Sequence, residues 1–220
     1  MNKQEECTIS GVILDLDGLI LDTERPSIPV WLQAGKAFGL EVKEETAFRA
    51  IGITGEDIRK LVRDEYGTDF PCETFLDLLD RLVDEEFEKG IALRPGFMVL
   101  LECLNMKKIP YAVATSSSRK YAFWKLEKAG LSDRFPLLVG GDEVENGKPA
   151  PDIFLKAAAL LNLKPAECIG FEDSVAGLRG LHDAGIRPVF VKDIVEPPDD
   201  VLTRVWRRYW DLAEAADDLF

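Results

Sequence analysis

The chain has 220 residues, enough for one large domain or for one domain carrying an insertion. Hydrophobic residues make up 46% and charged residues 30%, which excludes a disordered or fibrous chain. A net charge of -13 argues against nucleic acid as a partner, and an anionic substrate would need local positive charge from a metal or a few placed lysines.

The opening residues, Met1 to Glu6, lack the apolar stretch of a signal peptide, and no apolar run is long enough to span a bilayer. A cytoplasmic protein without membrane partners is therefore expected. Gly11-Val12-Ile13-Leu14 is a short apolar run without alternation, the pattern of a strand buried on both faces of a parallel sheet. It ends in Asp15-Leu16-Asp17-Gly18. Two carboxylates straight after an apolar strand are costly unless a cation pairs with them. Asp and Gly are also ordinary turn residues, so a solvated turn would explain them too. An EF-hand is excluded, because its loop places Gly at the sixth position and no buried strand precedes it.

From Thr23 to Leu93 only helical patterns follow. Trp31, Ala34 and Phe38 share one stripe, and Phe75, Leu79, Leu82 and Phe87 share another. Gly39, Gly52, Gly55, Gly67 and Pro71 punctuate them. The sheet resumes near Arg94-Pro95-Gly96, so a core of residues 1–22 and 94–220 with a helical insertion at 23–93 is expected.

Tyr111-Ala112-Val113-Ala114 is the second core strand, and Thr115-Ser116-Ser117 after it offers hydroxyls and backbone N–H groups to phosphate oxygens, or simply a helix cap. A helix is predicted over 119–130, with Phe123, Leu126 and Ala129 on its apolar stripe. After the strand Leu137-Leu138-Val139 comes Gly147-Lys148-Pro149-Ala150-Pro151-Asp152. Lys148 is either a fixed positive charge or a solvated lysine, and Pro151 suits a first helical turn over 152–162. The spacing to Gly141 excludes a P-loop, as does Pro149 in place of its Ser or Thr. Cys168-Ile169-Gly170-Phe171 leads into Glu172-Asp173, a pair that could also cap the helix over 174–184, for which Ser174 is a plausible N-cap. Pro188-Val189-Phe190-Val191 is a further strand. Strand–helix alternation of this kind predicts an α/β fold, a Rossmann-like doubly wound parallel sheet. Ligands bind outside the carboxyl ends of such strands, where these carboxylates, hydroxyls and lysine converge.

Asp15-Leu16-Asp17-Gly18, Thr115-Ser116, Lys148-Pro149-Ala150-Pro151-Asp152 and Gly170-Phe171-Glu172-Asp173-Ser174 resemble, in order, the four motifs of the haloacid dehalogenase superfamily. The Lys-Pro-x-Pro-Asp and Glu-Asp-Ser-x-x-Gly blocks are the specific ones, and the helical insertion is similar to that superfamily's cap. Within it the chain is most similar to the subgroup of β-phosphoglucomutase and small sugar-phosphate phosphatases. The resemblance implies that Asp15 attacks phosphorus to form an aspartyl phosphate. Asp17 would protonate the leaving oxygen and then activate water. Asp15, the backbone carbonyl of Asp17 and Asp173 would hold Mg²⁺, with Glu172 as a further or outer ligand. Thr115, the Ser116 N–H and Lys148 would hold the phosphoryl oxygens, and the cap would close over the substrate. The expected partner is a small phosphorylated metabolite, a sugar phosphate first of all. Oligomeric state is open.

Two other functions compete with a phosphatase. A phosphomutase of the resembled subgroup carries a His and an Arg where Ser27 and Gly55 stand, which counts against it. A non-catalytic binding protein on the same fold would not need Asp15, Asp17, Lys148 and Asp173 together. Other features invite ordinary explanations. His182, the only histidine, suits a structural or surface role. Trp206-Arg207-Arg208-Tyr209-Trp210 suits a sheet edge or a docked helix rather than a nucleic-acid patch. Arg119-Lys120 suits a solvated helix start. Cys7, Cys72, Cys103 and Cys168 form no CxxC pair, so buried thiols are expected rather than a zinc or redox site.

Overall fold

The computed structural model describes residues 9–53 and 55–220. Cys7 and the opening six residues lie outside the described residues. The chain divides into two compact units, one formed by the segment up to Leu21 with Leu93–Phe220, the other by Asp22–Ala92. No described helix is long and apolar enough to cross a membrane.

The first unit is a six-stranded sheet with every neighbouring pair parallel. Its strands are β1 (Gly11–Leu14), β2 (Tyr111–Ala114), β3 (Leu138–Val139), β4 (Cys168–Glu172), β5 (Arg187–Val191) and β6 (Arg207–Tyr209). They lie in the order β3-β2-β1-β4-β5-β6. This is the doubly wound α/β sheet expected from the alternation of elements. The strand order reverses between β1 and β4, and the crevice outside their carboxyl ends is where such sheets bind ligands. Asp15 directly follows β1, Thr115 follows β2, Glu172 is the last residue of β4, and Asp173 follows it. Pairing continues past β1, since Asp15 N donates to Phe171 O at 3.1 Å. β1 and β4 are buried throughout, which explains why their sequences lack a polar alternation.

Ile13, Ala112, Ala114 and Val139 of the sheet share a buried cluster with Phe154 and Ala157. The latter two lie on a helix over Asp152–Leu160, for which Pro151 is the residue just before rather than within the first turn. The helix over Val175–Asp183 is capped as expected: Ser174 Oγ accepts from Gly177 N at 3.0 Å. The helix expected over 119–130 spans Arg119–Lys128, and its cap is Ser118, outside the Thr115–Ser117 run. Its buried residues are Ala122, Lys125 and Leu126, so the helix is rotated from the stripe Phe123, Leu126 and Ala129. Phe123 lies instead beside the Arg119 guanidinium, 5.2 Å from it.

The edge strand β6 comes from the basic–aromatic cluster. Its aromatic neighbours are occupied by local cations: the guanidinium carbons of Arg187 and Arg207 lie 4.8 and 4.7 Å from the Trp206 ring centre. Arg119 bonds the Leu138 carbonyl and Glu143, tying its helix to the turn after β3. His182 is exposed on the last turn of its helix.

Among its described residues the second unit holds four helices: Glu24–Ala37, Glu44–Arg49, Glu56–Tyr66 and Cys72–Phe87. Its core is built on Phe75, fully buried, with the Trp31, Phe38 and Phe70 rings each 5.5 Å away by centroid. Such edge-on aromatic packing adds to simple area burial. Gly35 is required here, because a β-carbon would lie 2.1 Å from Val42 Cγ2.

Candidate active site

The turn after β1 brings the first two carboxylates to the crevice. Gly18 N donates to Leu21 O at 2.9 Å, which folds the Asp15–Leu21 segment back on itself. Gly18 has φ of 80°, a left-handed conformation that favours glycine. A β-carbon there would also lie 2.3 Å from Asp173 Oδ2, so only glycine lets the turn approach Asp173 this closely.

Lys148 ties this turn to β4. Its Nζ donates to Asp15 Oδ1 and, at 2.6 Å, to Glu172 Oε1. Lys148 also lies 4.9 Å from the centre of the Phe154 ring. The Lys148 and Asp15 side chains are nearly buried and that of Glu172 fully so. The second Glu172 oxygen accepts from Asp173 N, Ser174 N and Ser174 Oγ at 3.0, 2.9 and 2.9 Å. Glu172 thus holds the turn before the helix, whose cap is Ser174 rather than the Glu172-Asp173 pair, and braces Lys148 at the same time. Burial pushes the Asp15 carboxyl up to about 7; Lys148 pulls it down, while Glu172 and Asp17 push it further up. Burial disfavours the Lys148 charge, but Asp15 and Glu172 outweigh it and hold the ammonium above its usual range.

Asp17 turns toward a different group. Its Oδ2 accepts from Thr115 Oγ1 at 3.3 Å and from Ser117 Oγ at 3.1 Å, and both its oxygens lie 2.5 Å from Lys125 Nζ. Thr115 is buried, whereas Ser116 is exposed. The structure therefore brings Asp15, Lys148, Glu172 and Asp173 together on one side, and Asp17 with Thr115 on the other. Lys125 was absent from the sequence-derived set, and Ser117 entered it only as part of the Thr115–Ser117 run offered to phosphate oxygens. The one signal for Lys125 was a lysine one residue before Leu126, next to an apolar stripe.

Asp15, Glu172 and Asp173 each offer an oxygen within 4.8 Å of the others. Lys148 is bonded to two of the three, Asp15 and Glu172. An all-oxygen, carboxylate-rich donor set suits a hard divalent cation such as Mg²⁺. The residues present fit that ion. The Asp17 carboxylate is outside the cluster; the resemblance assigned the metal to its backbone carbonyl instead.

Residues 12–191 match the family model described as haloacid dehalogenase-like hydrolase. A phosphorylated carbohydrates phosphatase of Thermotoga maritima is 28% identical over 182 residues, covering 83% of this chain and 84% of that one. A probable pseudouridine-5'-phosphatase of Drosophila melanogaster is 33% identical over 197 residues, covering 84% and 82%. The crystal structure of a putative β-phosphoglucomutase from Thermotoga maritima superposes with a TM-score of 0.79 at 26% identity, covering 96% of this chain and 98% of that one. The matched span takes in β2 to β5, all of β1 but Gly11, and the crevice residues described above, and the chain belongs to the haloacid dehalogenase-like hydrolase family.

Proposed function

We propose that the protein is a Mg²⁺-dependent phosphatase of a small phosphorylated metabolite, a sugar phosphate first of all, working through an aspartyl phosphate on Asp15. One observation carries this reading: Lys148 holds Asp15 Oδ1 beside the Glu172–Asp173 carboxylates at the switch point of the sheet. With Oδ1 so held, Oδ2 is the oxygen that attacks phosphorus. Asp17 gives a proton to the departing ester oxygen and later takes one from the water that cleaves the intermediate. Thr115, the Ser116 N–H and the Lys148 ammonium bind the phosphoryl oxygens as charge spreads over them. Asp15, Asp173 and the Asp17 backbone carbonyl would hold the ion. Glu172 belongs to its outer shell, because Lys148, the Asp173 and Ser174 N–H groups and the Ser174 hydroxyl already occupy both its oxygens. When bound, Mg²⁺ offsets the negative charge of the phosphoryl group. The helical unit is assigned, on the resemblance, to substrate selection.

Relatives named as phosphatases of phosphorylated carbohydrates and of pseudouridine-5'-phosphate support the substrate class. Gly55 weighs against a mutase. It has φ of 60° and starts the helix Glu56–Tyr66, a backbone that an arginine would adopt only under strain. Ser27 spends its hydroxyl on Glu24 O at 2.7 Å within its own helix. The test is phosphate release from a panel of phosphorylated metabolites, with and without Mg²⁺. Release from sugar phosphates in the presence of the ion is expected; silence across the panel overturns the proposal.

A further inference from the structure

Lys125 belongs to none of the sequence motifs, yet its side chain is 3% exposed and its ammonium meets the group assigned to proton transfer. A buried ammonium is costly unless paired and hydrogen-bonded. Here Nζ spans both oxygens of Asp17 at 2.5 Å and reaches Ser117 Oγ at 2.8 Å. Ser117 Oγ in turn lies 3.1 Å from Asp17 Oδ2, so lysine, serine and aspartate close a triangle. The Tyr121 ring lies 5.0 Å from the same ammonium. The turn beneath is fixed as well, because Ser117 N donates to Thr115 Oγ1 at 3.1 Å. Gripping both oxygens of a carboxylate sets its rotation as well as its place, which one hydrogen bond does not do.

We propose that Lys125, braced by Ser117, is a positioning residue that holds the Asp17 side chain in place, as the carboxyl that gives its proton to the ester oxygen and as the carboxylate that later takes one from water. The proposal rests on the phosphatase reading above for its reaction, and on the structure alone for its geometry. The hydrogen bonds of the Lys125 ammonium go to Asp17 and Ser117, so it acts on the ester through Asp17. An ordinary alternative is an ion pair that only anchors the helix Arg119–Lys128.

The test uses Lys125→Met, which keeps the apolar stem and removes the donors, with Lys125→Arg and Ser117→Ala beside it. Rapid-quench kinetics compare an alkyl phosphate ester, whose leaving group needs a proton, with p-nitrophenyl phosphate, whose leaving group does not. Lys125→Met is expected to slow the first turnover of the alkyl ester by about 10²-fold, the scale of a misplaced catalytic group, with KM little changed. The first turnover of p-nitrophenyl phosphate is kept. Ser117→Ala shows the same pattern more weakly, Lys125→Arg recovers part of the loss, and Lys125→Met adds nothing in an Asp17→Asn background. Equal losses on both esters, or losses that multiply with Asp17→Asn, overturn the proposal. A crystal structure of Lys125→Met supplies a readout without turnover. The Asp17 carboxylate is expected to leave its present place, and an unmoved carboxylate overturns the positioning role. A wild-type enzyme inert on both esters would remove the phosphatase reading, while the place of Asp17 in that crystal would still decide the role of Lys125.

Discussion

Gly177 sits against the Glu172 carboxylate so closely that a β-carbon on it would lie 1.7 Å from Glu172 Oε1, the oxygen that receives Lys148. This contact gives the last position of the Glu-Asp-Ser-x-x-Gly block a physical cause. Gly177→Ala forces Glu172 away from Lys148 in a packed interior. A loss of about 1–3 kcal/mol in stability is expected from the overpacking, together with a fall in kcat. Denaturant melts and steady-state kinetics check both, and unchanged values would show that the carboxylate has room to move.

The two aspartates of the first motif should fail differently. Asp15→Asn keeps the side-chain shape but removes the anionic attacking oxygen, so turnover is abolished rather than weakened through KM. Asp17→Asn still allows attack on an ester with a good leaving group, but the intermediate lacks the base for its breakdown. Intact-mass measurement after an acid quench should find phosphate on the Asp17 variant and none on the Asp15 variant. Phosphate on Thr115 or Ser116 would refute the assignment of the nucleophile.

Removing divalent metal should abolish activity, and Mg²⁺ should restore it, because Asp15, Glu172 and Asp173 bring three carboxylate oxygens within 4.8 Å of one another, a donor set for a hard divalent cation. Thermal melting should register the same ion without turnover: a ligand that binds only the folded state raises Tm. Full activity in the presence of a chelator would contradict this.

Cys168, at the start of β4, is buried, and burial pushes its thiol up to about 11, with Glu167 adding to the rise and Arg187 opposing it. The thiolate is the reactive form, so near neutral pH almost none of it is present. Iodoacetamide should leave Cys168 unmodified in the folded protein and label it after denaturation, as peptide mapping would show. Labelling of folded protein at pH 8 would rule out the buried, protonated thiol.

The sheet was legible because burial on both faces leaves a mark on local composition. The runs that became β1, β2 and β4 are uninterrupted apolar segments, and the residues that follow them, Asp15, Thr115 and Asp173, all reached the crevice. Lys125 was not legible as a site residue. Its partner Asp17 is 108 residues away, and a lysine on a predicted helix is normally solvated. The same contact explains the misjudged rotation of that helix, whose buried residues include the lysine. The cluster at 206–210 left two structures open, a sheet edge or a docked helix. Residues Arg207–Tyr209 form a short edge strand with a single buried side chain, too brief to leave a period in the sequence.

The helical segment leaves the sheet unit and returns to it at one spot: Leu21 bridges Leu93, and the next pair inward closes with Asp22 N donating to Ala92 O at 2.9 Å. To the sheet, everything between those pairs is the tip of a hairpin. The entropy of closing a loop grows only with the logarithm of its length, so lengthening or shortening the segment costs the sheet little. Evolution, or an engineer, can therefore exchange the whole segment by cutting at two adjacent points, leaving the strand ends and their carboxylates untouched.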